Sequence, residues 1–166
     1  FQEDGVKRAQ HNPRLNSIAR ELTRGDILDR NGVLLATSLR GERSYPYGPA
    51  TAHLIGDLRT GDNFHATNSS LIEHDQNHKL QGFADIKELA PLVRYRHQPG
   101  NQAMEQLRAR DRTVKTSIDI RLQVKATEIL QRRLQRVGQQ RGALVVMKAD
   151  SGDVLALVSA PSPQQA

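Results

Sequence analysis

The sequence predicts an α+β fold in which one long helix lies on a β-hairpin. Three observations carry this. Apolar residues recur at helical spacing from Ile120 to Val137. Two apolar runs, Ala143–Met147 and Val154–Val158, follow with a turn between them. A second hairpin signal, Asn31-Gly32, stands between Asp26–Arg30 and Val33–Thr37. Periodicity near 3.6 argues for a helix, and short apolar runs bounded by turn residues argue for strands.

In chain order, residues 1–23 are polar and broken at Asn12-Pro13, with only Ile18 and Leu22 at apolar spacing. They read as an extended or weakly helical lead-in. Around Asn31-Gly32 the chain reads as a hairpin with a two-residue turn, since both central residues of that turn take positive φ. Residues 38–111 differ in composition, with turns, histidines and short apolar pieces. Thr51–Ile55 before Gly56 reads as a short helix ended by its glycine. Ile86, Leu89, Ala90 and Val93 read as a short amphipathic helix ended by Pro99-Gly100.

Asp119 is a good N-cap for the long helix, because its carboxylate can accept from an early backbone N–H. Arg121, Lys125, Arg132, Arg133 and Arg136 fill the face opposite the apolar stripe, and Gly138 suits the left-handed conformation of a helix end. The Asp150-Ser-Gly-Asp153 stretch, with Gly152, reads as a hairpin turn. Neither apolar run beside it alternates cleanly, which predicts strands covered on both faces, with the helix as one cover.

The 166 residues suffice for one domain or two small ones. The absence of cysteine excludes disulfide and thiolate–metal architectures. No apolar run reaches the length of a membrane span, and no signal-peptide pattern is present. Because the chain starts at Phe1, it reads as a piece of a longer protein. A net charge of +6 raises an anionic partner: nucleic acid, a membrane surface or an acidic wall polymer. Aromatics at 4% and no Trp argue against nucleic acid, and Gln131–Arg136 reads as a solvated helix face.

Four stretches resemble the class B penicillin-binding proteins, in the order that family has them. Arg24-Gly-Asp-Ile-Leu-Asp-Arg-Asn-Gly-Val-Leu-Leu-Ala36 resembles the signature opening the family's non-catalytic N-terminal module. On it, Arg24, Gly25, Asp29, Arg30 and Gly32 are expected to be structural. Asp29 and Arg30 would pair with each other or with the 116–119 region. Tyr45-Pro-Tyr-Gly-Pro-Ala-Thr-Ala-His-Leu-Ile-Gly56 is similar to the family's next segment, through Tyr45, Pro46 and Gly48. Ser70-Leu-Ile-Glu73, Asp75 and Leu80-Gln-Gly82 resemble a third, with Ser70 replacing a Gly and His74 a Tyr. Thr116–Gln123, with Asp119 and Gln123, then Gly142–Val146 and Ser151–Ala156, with Gly152, resemble the stretch leading into the transpeptidase domain.

Transpeptidase chemistry in that family needs a Ser-x-x-Lys pair, with the lysine one helical turn from the nucleophile. Here Ser17 has Arg20 at that offset, Ser70 has Glu73 and Ser159 has Ser162. The family's nucleophile comes some tens of residues after the segment ending here at Pro161. His74 and His78, four apart, would share a helical face, but no apolar shell surrounds them to orient a metal. No catalytic residue, metal ligand or cofactor is therefore nominated.

The resemblance implies a penicillin-binding-protein dimerisation-domain-like module, also called the pedestal. Its body would be residues 1–37 and 112–166, with 38–111 inserted as a small head. It implies a place outside the cytoplasmic membrane, in a parent anchored to it. The partners implied are a SEDS-family glycan polymerase, other cell-wall synthesis proteins, the parent's own transpeptidase domain and, as a further option, a second copy. Leu54, Ile55 and Leu71 are candidates for such a contact and equally for the head's small core. The alternative is a free-standing basic module that holds an anionic polymer.

Overall fold

The structure, a computed structural model, describes residues 22–39, 42–56 and 71–161. The lead-in up to residue 21 and Ser70 lie outside the described residues.

Strands β1 (Ile27–Leu28), β2 (Leu34–Leu39), β3 (Glu42–Ser44) and β4 (Val114–Lys115) form one sheet in the order β3-β2-β1-β4. The first three pair antiparallel, whereas β4 joins β1 in parallel, with Val114 donating to the Asp26 carbonyl at 2.9 Å. A parallel neighbour needs a crossover connection. Here the crossover is a chain of short helices: α1 (Ala52–Ile55), α2 (Ile72–Asp75), α3 (Asn77–Gln81), α4 (Ala90–Arg94) and α5 (Gln102–Arg108). A 3-10 turn, Gly48–Ala50, precedes α1 and another, Ile86–Leu89, precedes α4. The inserted region thus leaves the sheet at Ser44 and re-enters it at Val114.

Helix α6 (Ile120–Arg136) and the hairpin of β5 (Gly142–Met147) and β6 (Val154–Ala160) complete the fold. Asp119 caps α6 by accepting from Arg121 and Leu122 N–H at 3.1 and 3.4 Å. Gly138 ends it at φ 66°. Ala126 and Leu130 pack on Ala156 and Val158, flanked by Leu144 and Val146. Full burial of one such leucine is worth about 1.5–3 kcal/mol.

Two other cores stand beside this one. Ile27, Leu35, Ala36, Ile55, Leu80, Val114 and Ile120 form the core under the four-stranded sheet. Leu89, Leu92, Met104 and Leu107 form a helical core of their own. A boundary at 37/38 therefore cuts through one core, because Ile55 and Leu80 pack with Ile27. The helices around Leu89 form a separate core within 38–111, joined from outside that range by the half-buried Leu22.

Several local expectations need correction. Five residues, Asp29–Val33, stand between β1 and β2, and Asp29 N–H closes the loop by donating to the Val33 carbonyl at 2.8 Å. Positive φ is met within it at Gly32, at 87°. Helix α6 covers one face of the β5–β6 sheet, and on the other face β5 is open. Along β5 burial alternates, leaving Val145 and Met147 53% and 57% exposed. On that side of β6, by contrast, Leu157 is half-buried and lines a cavity with Leu54 and Ile72. The helical stretch from Ile86 ends at Arg94, ahead of Pro99-Gly100. Helices α2, α3 and α5 and strands β3 and β4 had no clear periodic signal.

Candidate functional site

The strongest candidate is a buried charge junction built by residues from three of the family-like stretches or their edges. At its centre is Glu73, on α2, whose side chain is fully buried. Its carboxylate accepts from Arg24 Nε at Oε2 (2.7 Å) and from Arg43 Nε at Oε1 (2.7 Å). The Tyr45 hydroxyl donates to Oε1 at 3.2 Å. Arg43 Nη2 is also 2.7 Å from Oε1 but off the hydrogen-bond line, so its part there is Coulombic.

Both arginines also donate to backbone and side-chain oxygens nearby. Arg24 gives Nη1 to Asn77 Oδ1 at 2.7 Å and Nη2 to the Glu73 carbonyl at 2.8 Å. Arg43 gives Nη1 to the Gly25 carbonyl at 2.7 Å and to Ser38 Oγ at 3.1 Å. Burial pushes the Tyr45 hydroxyl well above its ordinary pKa, and the charge of Glu73 adds to the push. Two cations around one buried carboxylate, with most donors satisfied, form a rigid tie between the start of β1, strand β3 and helix α2. Gly25 is required here, because a Cβ at that position would collide with the Arg112 carbonyl.

A second polar tie joins the hairpin loop to α6. Asp29 Oδ1 accepts from the backbone N–H of Asn31 (2.7 Å) and Val33 (2.8 Å), and Oδ2 from that of Ile120 (3.2 Å). Burial opposes its ionisation, but the amide donors of Val33, Ile120 and Asn31 outweigh it and hold the carboxyl below its usual pKa. Arg30 meets the 116–119 region through its backbone N–H, which donates to the Ile118 carbonyl at 2.8 Å. The Asp29 carboxylate is filled by amide donors and makes no pair with the Arg30 side chain.

Gln123 makes the third tie. Its Nε2 donates to the carbonyls of Ala50 and Leu157, each at 2.7 Å, and its Oε1 accepts from Leu157 N–H at 2.8 Å. One buried amide thus links α6, β6 and the turn opened by Gly48. Pro46 lies exposed just ahead of that turn, and Gly152, at φ 73°, shapes the β5–β6 loop.

The three apolar candidates separate. Ile55 is fully buried and belongs to the core. Leu71 covers Gly56. Leu54 lines a cavity of about 520 Å3 with Ile72, Val114, Ile118 and Leu157, rimmed by Lys79 and Lys115. His74 and His78 fall on two helices, α2 and α3, and Glu73 between Arg24 and Arg43 is committed to them. Among the described residues no cluster of three potential metal ligands occurs.

Sequence reasoning missed Arg43, Asn77 and the central role of Glu73. No helical period points to it, because Glu73 lies on α2 while Asn77 and Leu80 lie on α3.

Comparison with solved structures agrees with this architecture. A protein from Atopobium parvulum assigned as a peptidoglycan glycosyltransferase is 25% identical, with a TM-score of 0.56 over 86% of this chain and 31% of its own. The chain is structurally similar to penicillin-binding proteins. Penicillin-binding protein 3 of Mycobacterium tuberculosis (23% identity, TM-score 0.58) matches 87% of this chain and 29% of its own. PBP2 of Helicobacter pylori (17% identity, TM-score 0.51) matches 86% and 42%. At those identities the last two establish the fold alone. The chain spans about a third of the first of these proteins. No protein-family model and no curated protein sequence matches it. No helix among the described residues is long and apolar enough to cross a membrane.

Proposed function

We propose that this chain is the non-catalytic pedestal of a peptidoglycan transpeptidase of the penicillin-binding type. It would stand outside the cytoplasmic membrane, position the crosslinking domain and contact a SEDS-type glycan polymerase. The observation that carries the reading is the Glu73 junction. Arg24, Tyr45 and Glu73 each fall in a different family-like stretch, and all three meet at one buried carboxylate. Such a junction makes no bond in a substrate. Its physical effect is to fix the relative placement of segments, and that is what a positioning module needs.

The open side of the β5–β6 hairpin supports the same reading. Val145 and Met147 form an apolar face without cover among the described residues, as expected where a sheet is to be completed by a larger domain. The test is incubation of the purified chain with a fluorescent penicillin, followed by denaturing electrophoresis. No covalently labelled band is expected, and a labelled band would overturn the proposal. Co-purification with a membrane-embedded SEDS polymerase tests the partner separately, with loss of the complex expected on Glu73→Ala.

A further inference from the structure

The outward face of α6 has a composition that its packing does not explain. The helix carries five cations, Arg121, Lys125, Arg132, Arg133 and Arg136, against one acid, Glu128. That is a net +4 in a chain whose whole charge is +6. All six side chains are exposed.

Two of the cations are locally engaged: Lys125 pairs with Glu128 at 3.1 Å, and Arg121 lies 3.7 Å from Asp119. Arg132, Arg133 and Arg136 form no ion pair among the described residues, and Arg132 merely donates to the Glu128 carbonyl at 3.4 Å. Cations three and four apart on a helix repel one another. The helix dipole favours positive charge in the last turn, yet it does not account for a row of arginines without carboxylates between them. By contrast, Arg24 and Arg43 are each matched to an acid elsewhere in the fold.

We propose that this face binds a linear polyol-phosphate polymer, with Arg132, Arg133 and Arg136 taking successive phosphates. A guanidinium matches a phosphate in bidentate fashion, and arginine is preferred where that geometry matters. From Arg121 to Arg136 the row runs about 22 Å, long enough to follow an extended chain rather than a single anion. Nucleic acid is disfavoured, since α6 carries no aromatic side chain on which a base could stack. A bilayer is disfavoured too. The only apolar groups on this face, Ile129 and Val137, are 46% and 45% exposed, so neither stands out as an anchor. The proposal is independent of the pedestal reading.

The experiment is fluorescence anisotropy of end-labelled poly(glycerol phosphate) titrated with the chain at 50 and 200 mM salt. Three phosphates neutralised give a log–log salt slope of about −2, a weakening of roughly 20-fold over that range. The triple variant R132Q/R133Q/R136Q should lose roughly 10-fold or more in affinity and most of the salt slope. The variant K87Q/R94Q/R96Q, with the same change in charge, should stay within about twofold. Should the first triple fail to fold, Arg133→Gln alone should weaken binding roughly threefold. Equal losses in the two triples, no binding at 50 mM salt, or tighter binding to single-stranded DNA or phosphatidylglycerol vesicles would each overturn the proposal.

Discussion

Glu73 and Leu130 both fasten a helix to its surroundings, yet they do so by opposite chemistry. Glu73 binds partners 49 and 30 residues away through charge-assisted hydrogen bonds, in a site closed to water. Leu130 lies on a helix that joins the next strand through a short connection, and it packs in an apolar cluster with Ala156 and Val158 of the hairpin that follows. The first arrangement is directional and fails when one partner is lost. The second is tolerant of shape and leaves an edge and a face open. A module that must hold fixed angles between segments and also receive another domain uses each where it suits.

The largest expected effect breaks the first arrangement. Glu73→Ala leaves two buried guanidinium groups without a counter-charge, and should destabilise the chain by roughly 3–5 kcal/mol in urea melts. Hydrogen exchange should then rise at Thr37–Ser44 well before it rises at Leu144–Val158. Simultaneous loss in both regions would show that the two are a single cooperative unit. Gln123→Ala tests the link between them. It strips partners from Leu157 N–H and from two carbonyls, and should cost roughly 2–4 kcal/mol.

The contrast also explains what could be read from the residues alone. Helix α6, its Asp119 cap, its Gly138 stop and the hairpin after it were legible because each signal lies within a few residues of its effect. The Glu73 junction was not, since a buried acid looks like any surface acid until its distant arginines are in view. Strand β4 illustrates the same limit. Two residues, Val114 and Lys115, have no periodicity to read, and their strand character comes from β1, far away in sequence. The open face of β5 was misjudged for a different reason: an unbroken apolar run records what the strand can meet, and does not tell which of its faces is met.

Acid titration separates the polar ties from the apolar unit with a smaller effect. Asp29 and Asp119 are held below their ordinary pKa by backbone amides that outweigh burial, and Glu88 is lowered to about 2, chiefly by its hydrogen bond from Arg110. A carboxylate depressed in the folded state contributes stability that is present above its unfolded pKa and lost as pH falls through the folded one. The melting temperature should therefore hold from pH 7 to about 5 and decline toward pH 2. Asp29→Asn should cost roughly 1.5–3 kcal/mol at pH 7 and flatten that decline. An unchanged acid limb in the variant would remove Asp29 from the account.

The smallest effect is the most informative about the open face. Val145 and Met147 are more than half exposed, so Met147→Lys should change stability of the 166-residue chain by no more than about 0.5 kcal/mol. If the hairpin begins a larger sheet, the same lysine placed in a chain that includes a transpeptidase domain would be buried without a partner. There it should cost several times more and lower the yield of folded, penicillin-reactive protein. Equal, negligible effects in both settings would mean that this face stays open when the rest of the sheet is present. The pedestal reading would then keep the Glu73 junction and lose the hairpin as its point of attachment.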